Sequence, residues 1–318
     1  MKTYRAKKSL GLKKFSPEHT KALGLKPEYR FARAKKTLGQ NFLKSVPALN
    51  KIVEAGEIDP YDVILEIGPG KGALTEKLLE KSNCVIAIEK DRNLVEFLKE
   101  KFSKEISEKK LVLLEENILD FNVTEKMLSD SPQKISAEIF LCPSSPLLPR
   151  VHSRASSPSL DYKIIANIPY NITGAILKKF LTEKNQPKTM VLMVQNEVAK
   201  RIVARDKKES ILSISVKAYG TPQMVMKVPA RYFSPAPKVD SAVISIKNIS
   251  RNFFIENKID ENKFWEIIHA GFAHKRKKLS SNLKNLSSPI DKAYGIELGN
   301  KRAEDLTLSD WLLLTKTD

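Results

Sequence analysis

From about residue 60 onward the chain alternates short apolar runs with segments whose apolar residues recur every three or four positions. Val63-Ile64-Leu65-Glu66-Ile67 is the kind of run that forms a strand buried on both faces, and it stops at glycines. Residues 73–81 then show helical spacing, 84–88 form a second strand-like run, and 92–102 a second helical pattern. Further strand patterns follow at 111–114, 163–166 and 190–194, the last two separated by a helical stretch over 175–181. Strands that alternate with helices form crossover units, which lay the strands parallel in a sheet covered on both faces. Residues 223–228 and 239–246, divided by a Pro-rich turn, predict a late hairpin. Beyond about residue 250 only helical patterns remain, at 263–272, 278–286 and 308–315, and these predict a small second domain.

Two segments break the rhythm. Residues 1–36 hold twelve Lys or Arg against Glu18 and Glu28, and they contain an internal echo. Arg5-Ala6-Lys7-Lys8-Ser9-Leu10-Gly11 recurs as Arg33-Ala34-Lys35-Lys36-Thr37-Leu38-Gly39. Two copies are too few for a solenoid, so the expectation is a duplicated basic tail without stable structure of its own. Residues 129–160 contain nine Ser and five Pro and no apolar period, which predicts a low-complexity insertion looping out between two strands. The expected organisation is therefore a tail over 1–36, an α/β domain over 37–250 carrying the 129–160 insertion, and a helical domain over 251–318.

Charge narrows the class of partner. The chain of 318 residues has a formal net charge of +18, a field that favours polyanions and says nothing about fold. A second basic cluster, Lys275-Arg276-Lys277-Lys278, lies near the other end and is a candidate for phosphate contacts. No stretch approaches the ~20 consecutive apolar residues of a membrane span, and the N-terminus lacks the pattern of a secretory signal. Cys84 and Cys142 read as two isolated thiols that suit a reducing compartment, and with four scattered His they argue against a metal site. A basic tail is also a feature of organelle-targeting segments, but this one is richer in Lys than Arg, and the expectation is a cytoplasmic monomer.

The candidate chemistry sits at strand ends. Gly68-Pro69-Gly70-Lys71-Gly72-Ala73 follows the first strand run, where glycines let the backbone turn sharply and approach a ligand. This loop alone does not separate a nicotinamide dinucleotide from S-adenosylmethionine. Glu89, nineteen residues past Gly70, is placed to accept hydrogen bonds from both hydroxyls of a ribose. Asn117 follows the third strand, where its amide would reach an adenine edge, although Asn there is also ordinary turn chemistry. Asn167-Ile168-Pro169-Tyr170 follows the fourth strand. An adenine amine is a poor nucleophile, and acceptors on its hydrogens let the nitrogen pyramidalise toward an electrophile. The Asn167 side chain and a backbone carbonyl at Ile168 or Pro169 suit that task, and Tyr170 offers a face for stacking an extruded base. A hydride-transferring enzyme has no use for this constellation.

These blocks, together with Leu38-Gly39-Gln40-Asn41-Phe42-Leu43, residues 194–202, residues 233–243, Arg276-Lys277-Lys278-Leu279 and residues 302–306, resemble the small-subunit ribosomal RNA adenine dimethyltransferases. More distantly they resemble the erythromycin-resistance ribosomal RNA methyltransferases. The resemblance implies a class I, Rossmann-like methyltransferase fold: a seven-stranded, mostly parallel sheet with a small C-terminal helical domain. It implies S-adenosylmethionine as cofactor, contacted by Asn41, Leu43, Gly68, Gly70, Glu89, Asn117 and Asn167. It implies catalysis by Asn167, Pro169 and Tyr170, with Phe233 as a second stacking partner for the target base, and RNA contacts by Lys275, Arg276, Lys277 and Lys278. The partner would be ribosomal RNA in a small subunit or its precursor. One departure is Asn117, where relatives usually carry Asp; the acceptor is kept and the charge is lost. Three alternatives remain open at this point: a large-subunit enzyme of the antibiotic-resistance type, a non-catalytic RNA-binding assembly or transcription factor on the same fold, and, more remotely, a nicotinamide-dependent oxidoreductase.

Overall fold

The computed structural model describes residue 35 and residues 38–123, 161–284 and 295–316. The 129–160 insertion and, Lys35 apart, the 1–36 tail lie outside these residues. A strap at residues 38–45 carries β1 (Phe42–Leu43) and leads into α1 (Val46–Ala55). Then come β2 (Val63–Ile67), α2 (Ala73–Leu79), β3 (Cys84–Glu89), α3 (Arg92–Lys101) and β4 (Leu111–Glu115). After the undescribed stretch follow β5 (Tyr162–Asn167), α4 (Thr173–Thr182), β6 (Thr189–Gln195), α5 (Asn196–Ile202) and α6 (Ile211–Lys217). The last strands are β7 (Thr221–Val228), β8 (Phe233–Ser234) and β9 (Ser241–Lys247). Helices α7 (Asn252–Asn257), α8 (Glu261–Gly271), α9 (Leu279–Leu283), α10 (Gly295–Asn300) and α11 (Leu308–Lys316) complete the described chain.

Seven strands form one sheet in the order β4-β3-β2-β5-β6-β9-β7, and β1 pairs with β8 in a separate two-stranded ladder. The neighbours from β4 to β6 are parallel, and β9 is antiparallel to both β6 and β7. The expected late hairpin is thus the antiparallel edge of an otherwise parallel sheet. From β2 the chain builds outward through β3 and β4, then returns to lay β5 on the other side of β2. That reversal creates a crevice at the carboxyl ends of β2 and β5, the place where open α/β sheets bind ligands.

Successive residues of β2 face opposite sides. Val63, Leu65 and Ile67 join a core with Ile176 and Phe180 of α4, while Ile64 joins a second core with Leu49 and Ile52 of α1 and Leu74 and Leu78 of α2. Each side chain of this size, fully buried, contributes roughly 1.5–3 kcal/mol. The first core continues without a break into Phe264 and Ile268 of α8, Leu279 of α9 and Trp311 of α11. The fit there is close: a Cβ at Gly271 would lie 2.4 Å from the Trp311 ring. α1 carries its buried residues at 48, 49, 52 and 53, one helical stripe, with a proline tolerated in the first turn. Among the described residues no helix is long and apolar enough to cross a membrane, and no cluster of His, Cys, Asp or Glu could hold a metal ion.

Candidate active site

The carboxyl ends of β2, β3, β4 and β5, roofed by the strap, enclose a cavity of about 610 Å³. Its base is the glycine loop after β2. Gly68, Gly70 and Gly72 have φ of 66°, 60° and 74°, a region that side chains rarely adopt. At Gly70 and Gly72 a Cβ would also come within 2.9 Å of the Phe42 ring and 2.4 Å of the Phe102 ring. Gly68 differs: its Cβ would find only Pro169 Cδ, at 3.9 Å, so the backbone there borders open cavity.

Glu89 closes β3 at the cavity wall and is buried. One carboxylate oxygen, Oε2, accepts from the Gly70 N–H at 3.2 Å, and Oε1 accepts from the Asp91 N–H at 2.9 Å. Burial raises the pKa of this carboxyl, against the pull of those two N–H groups. A carboxylate has about four acceptor sites, so two remain for a ligand.

Two residues on, Asp91 caps α3 by accepting from the Asn93 N–H at 3.1 Å. It also accepts from Lys35 Nζ at 2.7 Å and Gln40 Nε2 at 3.2 Å, a clasp that ties the strap to the sheet beside Glu89. Burial alone would raise the Asp91 pKa, but Lys35, Gln40 and the Asn93 N–H together hold it below the usual carboxylate range.

Asn41 and Leu43 reach the cavity from the strap. Leu43 pairs with Phe233 across the two-stranded ladder, and the Lys44 N–H donates to the Tyr232 carbonyl at 2.8 Å. Asn117 lies on the wall, but its amide is engaged locally: Nδ2 donates to Asp120 at 2.8 Å, and Oδ1 accepts from the Leu119 N–H at 3.4 Å. Asn167, Pro169 and Tyr170 complete the wall. Asn167 Nδ2 donates to the Asn41 carbonyl at 3.2 Å, which leaves its Oδ1 without a hydrogen bond among the described residues. Pro169 leads into a tight turn at Tyr170–Ile172, and the Tyr170 hydroxyl bonds Ser241 on β9. Burial raises the Tyr170 pKa, so its phenol stays neutral.

Nine of the ten residues named from the sequence for cofactor or catalysis, Asn41, Leu43, Gly68, Gly70, Glu89, Asn117, Asn167, Pro169 and Tyr170, thus line one cavity. Phe233 is the tenth. It is 2 % exposed, packed into the core with Leu43 and Val228, and its ring is not part of the cavity wall. Strand pairing with β1 is what turns it inward.

Several residues at the site carry no local signal in the sequence. The clasp joins residues 51 and 56 positions apart. Glu66, one strand position before the loop, reads as part of an apolar run, yet it lines the cavity at 1 % exposure. Neither its Oε2 nor the adjacent Thr75 Oγ1 has a hydrogen-bond partner. Burial pushes the Glu66 carboxyl up to about 8; the Glu89 charge adds to this, and the Thr75 hydroxyl and Lys101 pull the other way.

A second cavity, about 1060 Å³, opens between α4, α5, α6 and α8. Lys178, Lys200, Arg201, Arg205 and Lys275 border it, all exposed and none in an ion pair among the described residues. Lys208 is the contrast, since it is paired with Glu304 and Asp305. Lys275 is the member of the predicted basic cluster that reaches this groove; Arg276, Lys277 and Lys278 are exposed beside it, with Lys278 Nζ donating to Asn300 at 3.0 Å.

Residues 31–317 match the family model described as ribosomal RNA adenine dimethylase. The chain is 37% identical over 287 residues to a ribosomal RNA small subunit methyltransferase A of Dehalococcoides mccartyi, covering 88% of this chain and 86% of the relative. It is 35% identical over 289 residues to the protein of that name in Fusobacterium nucleatum, covering 89% and 96%. Among solved structures, a dimethyladenosine transferase from Plasmodium falciparum superposes with a TM-score of 0.64 at 24% identity, covering 86% of this chain and 95% of that one. The 23S rRNA methyltransferase ErmE does so with a TM-score of 0.63 at 22% identity, covering 87% and 99%. At those identities the superpositions speak for the fold, a class I methyltransferase sheet; the family follows from the sequence. With the family model spanning nearly all of it, the chain belongs to the ribosomal RNA adenine dimethylases.

Proposed function

We propose that the chain transfers methyl groups from S-adenosylmethionine to the exocyclic amine of adenosines in a loop of small-subunit ribosomal RNA, giving dimethyladenosine. The observation that carries this reading is Asn167, with its amide nitrogen tied to the strap and its oxygen left unpaired at the wall of a cavity that also contains Glu89 and the glycine loop. The cavity fits the cofactor. Its volume of about 610 Å³ falls in the range of small-molecule sites, about 300–1,000 Å³. Backbone at Gly68 allows close approach, and Glu89 has acceptor sites to spare for a ribose. When bound, the cofactor supplies an electrophilic methyl group on a sulfonium.

The residues of the chain then have separate tasks. Glu89 would receive both ribose hydroxyls, and Asn41, Leu43, Gly70 and Asn117 would frame the rest of the nucleoside. For Asn117 this requires exchanging a local hydrogen bond for one to the base. Asn167 Oδ1, with the carbonyl of Ile168 or Pro169, would accept from the target amine and hold it as its nitrogen pyramidalises. Tyr170 would stack the extruded base, and Pro169 fixes the turn that presents it. Orientation rather than a strong base provides the acceleration, because the alkylated amine loses its proton readily. Residues 37–250 would act as the methyltransferase domain. Lys275, Arg276, Lys277 and Lys278, in the helical part over 251–318, would contact the RNA backbone together with the free cations of the groove. Unpaired loops suit such an enzyme, since their bases can be splayed out and stacked.

Transfer of tritiated methyl groups to undermethylated small subunits, at saturating cofactor, tests the reading. Asn167→Ala should lower the rate by on the order of a hundredfold or more while subunit binding persists, as loss of a preorganised transition-state partner does elsewhere. Tyr170→Ala should lose the ~1–3 kcal/mol typical of base stacking. A wild-type protein that methylates no RNA or subunit would instead leave a binding factor on this fold.

A further inference from the structure

Glu66 has no part in the reading above, and its surroundings ask for one. It lines the cofactor cavity, is 1 % exposed, and its Oε2 has no hydrogen-bond partner. A buried carboxylate with an unpaired oxygen is costly, and such a group tends to keep its proton. The neighbouring charges do not offset that cost. Glu89 on β3 adds a second negative group to the same wall. Lys101 at the end of α3 is already paired with Glu76 of α2 at 2.8 Å, and its Nζ donates to the Lys71 carbonyl at 2.9 Å. The Lys71 ammonium sits over the Phe42 ring, 5.1 Å from its centroid. Thr75 on α2 presents a hydroxyl, not a charge, and Lys44, Lys90 and Glu116 complete the charged part of the wall.

We propose that Glu66 senses the charge of the cofactor: it keeps its proton until the sulfonium form enters, gives it up to solvent on binding, and so favours the methyl donor over the neutral thioether product. The inference rests on S-adenosylmethionine being the ligand of this cavity. Only the carboxyl O–H bond breaks; its electron pair stays on the oxygen, and the proton leaves for bulk water. The methyl donor carries one more positive charge than S-adenosylhomocysteine, so beside a carboxyl as buried as that of Glu66 only the donor stabilises the ionised form strongly. An opposite charge within about 4–6 Å moves a carboxyl by about 1–3 pH units. By linkage, the ionised carboxylate favours the donor over the product by the same factor, about tenfold at least. The sign follows from an acid that is protonated at neutral pH in the free protein. Donor affinity rises with pH up to about 8 and levels off above it, where Glu66 is ionised beforehand.

Calorimetric titration at pH 7, in buffers of different ionisation enthalpy, reads the proton directly. Wild type should release roughly half a proton to one proton more than Glu66→Gln on binding S-adenosylmethionine. The difference between the two proteins removes any proton exchanged by the cofactor's own amino group. With S-adenosylhomocysteine the difference should be less than half as large, and at pH 9, where Glu66 is ionised beforehand, the donor-over-product preference of Glu66→Gln should lie about tenfold or more below that of wild type. Equal proton release by both proteins, or an unchanged preference, overturns the proposal. Should Glu66→Gln fold poorly, infrared difference spectra of the wild type serve instead: a protonated-carboxyl band that disappears when S-adenosylmethionine is added supports the proposal, and one that persists overturns it. A wild type that binds neither nucleoside removes the cofactor reading itself, whereas binding without proton release removes only the sensor.

Discussion

The glycine-loop cavity and the cation-lined groove are built on opposite principles. In the first, loop backbone in left-handed geometry, the buried Glu89 carboxylate and the Asn167 amide are fixed by nearby hydrogen bonds, so the wall is shaped before any ligand arrives. In the second, five cations from α4, α5, the loop after α5 and the turn after α8 stand exposed without carboxylate partners. A preformed wall selects one small molecule by shape and hydrogen bonding. A ring of free cations attracts phosphate chains of many sequences and yields to salt. The lesson is that within one chain affinity and selectivity can be assigned to separate places, and each can be altered without the other.

The strongest challenge to that separation is Glu89→Ala. Two charge-assisted hydrogen bonds to a ribose, each worth roughly 1.5–3 kcal/mol, would be lost, so S-adenosylmethionine affinity should fall more than about a hundredfold. RNA binding without cofactor should be unchanged; parallel loss of both in calorimetry and filter binding would mean that the cavities are not independent. A smaller effect is expected in the groove. Reversing Lys200, Arg201 and Arg205 to Glu should weaken RNA binding and reduce the slope of log affinity against log salt by about 0.7–0.9 for each phosphate contact removed. Cofactor binding should stay intact, and an unchanged slope would move the RNA elsewhere.

The smallest effect concerns the strap. Asp91, with its pKa held below the ordinary carboxylate value, adds stability that is complete above that ordinary value and is lost as pH falls through the lowered one. Lys35 is half exposed, so the ion pair is screened and contributes at most about 1 kcal/mol. Asp91→Asn should therefore lower the melting temperature slightly at neutral pH and not at all in strong acid. A difference between the two proteins that persists in strong acid would mean that Asp91 acts through packing.

The sheet was readable because parallel strands buried on both faces are continuous apolar runs; 63–67, 84–88 and 190–194 all lie within observed strands. Gly68, Gly70, Glu89, Asn117, Asn167, Pro169 and Tyr170 were readable because each lies at or just after a strand end, and parallel strands bring their carboxyl ends to one edge; Asn41 and Leu43 came only with the family resemblance. Phe233 shows where such reading stops. Strands of two residues, as in β1 and β8, have no period, and only their pairing decides that the Phe233 ring turns into the core. The clasp and the groove escaped for a related reason. Asp91 meets Lys35 and Gln40 across more than fifty residues, and the five groove cations come from separate elements, each an ordinary surface charge in sequence. Glu66 was in plain view but looked like one polar letter in an apolar word.

The hydrogen bond that orients Asn167 bears on how this enzyme can vary. Its acceptor is the backbone carbonyl of Asn41, an atom that every amino acid supplies. Exchanging the residue at position 41 leaves that anchor in place, provided the chain follows the same path. Adding or deleting a single residue in the strap would shift the carbonyl by about 3.3–3.6 Å, more than the length of the bond it makes. For the orientation of Asn167, therefore, chain length in the strap matters more than the identity of the side chain at position 41, whatever that side chain gives to the nucleoside.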